Sequence, residues 1–158
     1  MSEDDFFSLD ELPPNKKKEF LRAIAIQKSG MMPHVESVAF ELENTGYEVQ
    51  RFIMEDAIRV TSSNPPEFTI LLTPEEFSLF QKIYSLSTQW KILEVEGWAI
   101  GDLYFFHLIL KHPELLKGIL TFCYTNDLPP NWDIPEDGII FRYEEKSSKK
   151  YITLVGYG

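Results

Sequence analysis

Residues 104–116 read YFFHLILKHPELL, and the fold class turns on how this stretch is read. From Tyr104 to Leu110 the chain is apolar on every side, with His107 in the middle. A run with no polar face reads as a helix buried all round. Pro113 breaks the run and, with Glu114, suits the first turn of a second helix. That second segment puts Leu115, Leu116, Ile119, Leu120 and Cys123 on one helical stripe. The pattern therefore predicts helices over 103–111 and 113–125, with Asp102 capping the first and His112 the second.

Two histidines and a cysteine so close together raise the question of a metal site. Helical ligands are ordinarily one turn apart, because positions i and i+4 share a face. The spacing from His107 to His112 is five, which turns the second side chain away by about 140°. Zinc would also need a third or fourth ligand, and only the fold could bring in His34 or Asp127. The spacing therefore predicts neither a metal nor a cofactor. His107 is read as a core histidine that needs a hydrogen bond, and Cys123 as a small buried hydrophobe.

Upstream, WKILEVEGWAI over 90–100 alternates with the period of a strand. Residues two apart on a strand point the same way, so Glu94, Glu96 and Trp98 share a face. Paired carboxylates can hold a cation or divide acid and base roles. Beside an indole they offer a surface to a cationic partner. These three residues are the candidate partner-binding face, and no residue is assigned a catalytic role.

The flanks fill in the architecture. KKKEFLRAIAIQKSG after Asn15 predicts a helix ending at Gly30, and Pro33 opens a second over 33–45, closed by Gly46. Period-two segments at 47–53, 57–62 and 68–73 predict strands. TPEEF at 73–77 carries a capping box, with Thr73 as N-cap and Glu76 three residues later. At the C-terminus, IIFRYEE and YITLVGY predict a hairpin turning at Lys146–Lys149. Its register sets Tyr143, Phe141 and Ile139 opposite Ile152, Leu154 and Gly156.

Composition bounds the class. A chain of 158 residues fits one domain with an ample core. A single cysteine excludes an internal disulfide and a cysteine-rich zinc site. The N-terminus has no basic stretch followed by an apolar run, so no secretory signal is read. No stretch approaches the roughly 20 apolar residues of a membrane span, and the expected location is cytoplasmic. The net charge is −10, and residues 1–12 hold five acids and no base. That balance disfavours nucleic acid, whose phosphates are bound by neutralising them. Residues 3–12, EDDFFSLDEL, interleave acids with Phe6, Phe7, Leu9 and Leu12; Phe6 and Phe7 are candidate partner-binding residues, with Phe6 and Leu9 or Leu12 as helical anchors for a partner's groove.

The expectation is a flexible acidic tail over 1–14 and a single α+β domain over 15–158. It has about five helices and antiparallel sheet, including the C-terminal hairpin. The expected function is protein–protein binding, of the inhibitor or immunity type, against a basic partner. The alternatives are a metal-assisted hydrolase using Glu94, Glu96 and His107, and a non-catalytic subunit of a larger assembly anchored by Phe40 and Trp132.

Overall fold

The structure is a computed structural model that describes residues 14–88, 90–100, 103–129 and 132–156. The described residues form two helices and eight strands in two mixed sheets. The elements in chain order are α1 (Pro14–Asn44), β1 (Glu48–Ile53), β2 (Arg59–Thr61), β3 (Glu67–Leu72), α2 (Pro74–Tyr84), β4 (Lys91–Ile100), β5 (Leu103–His112), β6 (Lys117–Thr125), β7 (Ile139–Glu145) and β8 (Tyr151–Gly156). One sheet has the order β1-β6-β5-β4 and the other β2-β3-β7-β8.

This corrects the expectation of about five helices. YFFHLIL and GILTFCY are not helices but the two inner strands β5 and β6 of the first sheet. A strand buried on both faces loses its polar alternation, and a short apolar run then cannot be told from a buried helix by period. The aromatic and β-branched content is what fits a pleated surface. Tyr104, Phe106, Leu108 and Leu110 of β5 enter the main core together with β3, α2 and β7 residues. Leu103 and Phe105 point the other way, into a second cluster with Val35 and Ala39 of α1.

The sheets are also not purely antiparallel, since β1 runs parallel to β6 and β3 parallel to β7. The two expected N-terminal helices are one continuous helix. Pro33 lies inside α1, and Gly30 is an exposed helical residue rather than a cap. Pro33 has no N–H to give the carbonyl one turn back, yet the helix runs on because Val35 and Ala39, both fully buried, seat it on the sheet. Arg51 of β1 adds polar ties, 3.2 Å from Glu36 and 2.6 Å from Glu43. Past the helix end, Gly46 takes the left-handed conformation that reverses the chain (φ 97°).

The Thr73 capping box is present, with Glu76 N–H on the Thr73 hydroxyl and the Glu76 carboxylate on the Thr73 N–H. The β7–β8 hairpin pairs Ile139, Phe141 and Tyr143 with Gly156, Leu154 and Ile152, the register read from the sequence. Glu144 of β7 is buried and lies 2.9 Å from Arg142. Trp132, considered as an interface anchor, packs on the main core against Phe68, Tyr104 and Phe106. Phe40 is 62% exposed.

Candidate functional site

The site grows from a strand pair. Antiparallel pairing of β4 and β5 sets Glu96 directly across from His107, and Trp98 across from Phe105. Both pairs lie on the face of the sheet that α1 covers. Val35 and Ala39 fix the helix on Leu103, Phe105 and Phe122. His34, the neighbour of Val35, is thereby carried to the margin of that contact, above the β4–β5 pair.

The result is a cluster from three elements. His34 Nε2 is 3.5 Å from Glu96 Oε2. The His34 ring meets Trp98 edge-on at 5.2 Å and His107 at 5.9 Å between centroids. Trp98 lies over His107 at 6.3 Å with the rings 27° apart. One donor atom from each of His34, Glu96 and His107 lies within 4.8 Å of the other two. The cluster has a buried floor and an open rim. His107 is 1% exposed, whereas the side chains of His34 and Glu96 are 46% and 38% exposed.

Burial sets the electrostatics of the floor. It pushes the His107 imidazole down from 6.5 to about 4, with Glu96 opposing the shift and His34 adding to it. His107 is therefore neutral at pH 7. Its Nε2 is buried without a hydrogen-bond partner, an omission that ordinarily costs about 1–3 kcal/mol. Chemically, the site offers two imidazoles and one carboxylate around a point reachable from solvent, walled on one side by an indole.

The sequence-derived residues divide. Glu96, Trp98 and His107 come together. Glu94 lies on β4 beyond a register shift between Ile92 and Glu94, and its side chain lies outside the described residues, as do Phe6 and Phe7. His112 is not part of the cluster. It caps the β5–β6 turn, accepting from Leu115 N–H through Nδ1, while Nε2 meets Ser87 Oγ at 2.8 Å. The helix that His112 was expected to cap is absent; its Nδ1 holds the turn between two strands instead. On a strand, positions five apart point to opposite faces, which keeps His112 away from His107. Cys123 is fully buried in the main core, its thiol pushed up to about 12 by burial.

His34 is the residue that sequence reasoning did not place. No local pattern links it to β4. The only available signal is its position beside the Val35, Val38 and Ala39 stripe of α1. Elsewhere, a cavity of about 320 Å³ is lined by Met54, Glu55, Asp56, Glu76 and Lys146, among others, and shares no residue with the cluster. Three of its charged residues are engaged: Lys146 faces Asp56 at 3.6 Å, and Glu76 serves the α2 cap.

No protein-family model matches the chain, and no curated protein matches it in sequence. Among the described residues, no helix is long and apolar enough to cross a membrane.

Proposed function

We propose that the protein acts by binding another protein of basic character, as an inhibitor or immunity-type factor in the cytoplasm, rather than by turnover. The observation that carries this reading is the pairing of Glu96 and Trp98 on one face of β4, the edge strand of its sheet, both partly open to solvent. A carboxylate beside an indole suits an arginine or lysine side chain, which gains an ion pair and a cation–π contact together. The charge of −10 supports the same reading, because complementary charge accelerates encounter.

Affinity capture from the native cell, repeated with Glu96→Lys and Trp98→Ala, tests it. A basic partner should bind at least about tenfold more weakly to each variant, the scale of a central-contact truncation, and more weakly with added salt. A partner indifferent to both variants sinks the reading.

A second reading, metal-assisted hydrolysis, is favoured by the direct opposition of Glu96 and His107 across β4 and β5. It predicts metal-dependent turnover that is lost in Glu96→Gln.

A further inference from the structure

We propose that His34, Glu96 and His107 hold a divalent transition-metal ion of the zinc class, with the remaining coordination position open to solvent. Two independent observations converge on this.

The first is donor geometry. Bonds of 2.0–2.1 Å in a tetrahedral site separate neighbouring donors by about 3.3 Å. His34 Nε2 and Glu96 Oε2 are 3.5 Å apart, close to that separation already. The whole trio lies within 4.8 Å, so closing on an ion requires movements of about 1.5 Å or less. The two donors that must move are the half-exposed ones, on rotatable side chains. The buried imidazole, locked under Trp98, stays fixed.

The second is the orphaned floor. His107 is 1% exposed and its Nε2 has no hydrogen-bond partner. Buried polar atoms are ordinarily satisfied, and one that is not calls for an explanation such as a bound ion. The unpartnered nitrogen belongs to the same buried ring that supplies a donor atom to the His34–Glu96 cluster.

The donor types select the ion. Two imidazole nitrogens and one carboxylate oxygen suit zinc and its neighbours, whereas Mg²⁺ and Ca²⁺ prefer all-oxygen shells. Three protein ligands with one open position is the pattern of sites that exchange an external ligand rather than of closed structural sites. The open side is the rim formed by His34 and Glu96. An ion there would also strengthen the link of α1 to β4 and β5 that the Val35 and Ala39 packing and the His34 contacts already make.

The inference shares Glu96 with the partner reading, but the experiment below uses no partner, so its failure is distinguishable from the failure of that reading. The full chain is stripped with EDTA, exchanged into metal-free buffer and titrated with ZnCl₂ by calorimetry and thermal melting. One equivalent should bind. At a hundredfold excess over Kd the Tm should rise by roughly 5–10 °C, following ligand linkage for a domain of this size. Co²⁺ should give the visible bands of a tetrahedral site, and Mg²⁺ should have no effect. His34→Ala and Glu96→Gln change half-exposed side chains and should leave the fold intact while each weakens zinc binding at least about tenfold. His112→Ala, outside the cluster, should bind as the parent does. Three results overturn the proposal: no stoichiometric binding below millimolar zinc, binding that survives both His34→Ala and Glu96→Gln, or binding lost equally in His112→Ala.

Discussion

Acid should destabilise this protein through one side chain in particular. His107 is buried in the native state with its imidazole depressed to about 4, against 6.5 for the ordinary group. The unfolded chain therefore takes up this proton first as pH falls. Stability supplied by the neutral form is complete above about 6.5, declines through the window down to about 4, and changes no further below it, where both states are protonated. At 1.36 kcal/mol per tenfold, the full window is worth about 3 kcal/mol. The titratable groups that face the ring are Glu96 on β4 and His34 on α1, and they act in opposite directions. The perturbation is His107→Leu, similar in volume, apolar and unable to titrate. Urea unfolding of both proteins between pH 7.5 and 4, followed by tryptophan fluorescence in EDTA so that no ion masks the imidazole, gives the difference in stability at each pH. Titrating groups that do not face the ring are shared and cancel. The variant should gain about 3 kcal/mol on the parent across the window, or roughly 6–12 °C in Tm. At pH 7 it should be no less stable, since it also removes the unpartnered Nε2. Parallel pH profiles for the two proteins would refute the assignment of a buried, neutral His107.

Three further outcomes follow from the packing. Tyr143 and Thr121 share a fully buried hydrogen bond of 2.7 Å; Tyr143→Phe and Thr121→Val should each cost about 1–3 kcal/mol by orphaning the other hydroxyl, and the double variant should cost less than their sum, as a urea double-mutant cycle would read. A methyl added at Gly156 would lie 2.7 Å from Val95 and 2.8 Å from Phe141, whereas one at Gly30 meets nothing within 4 Å; thermal melts should show Gly156→Ala losing about 1–3 kcal/mol and Gly30→Ala gaining up to about 1 kcal/mol. Cys123, fully buried with its thiol pushed up to about 12, should resist thiol reagents in the native protein and react once urea unfolds it.

Where structure is set by neighbours in sequence, the sequence alone determined it. The Thr73–Glu76 box is a bond between residues three apart, so its pattern is its structure. The β7–β8 register follows from a short turn and one apolar face, because a slip by one residue would send Phe141 and Tyr143 to solvent. The strand character of the segments read at 47–53, 68–73 and 90–100 was legible from sequence, and the strands form at Glu48–Ile53, Glu67–Leu72 and Lys91–Ile100. The burial of His107 was legible as well, because its apolar neighbours dictate it whether the segment is helix or strand.

What surrounds each element was decided only by the tertiary structure. β5 and β6 lie between α1 on one face and the second sheet on the other, and that double burial erased the alternation that would have marked them as strands. α1 runs through Gly30 and Pro33, although an interior proline ordinarily costs about 3 kcal/mol, because Val35 and Ala39 seat the helix on the sheet. The parallel pairs β1–β6 and β3–β7 join segments far apart in the chain, which no local period encodes. The meeting of His34 with Glu96 and His107 has the same origin. The strand register supplies two of the donors, and the docking of a distant helix supplies the third.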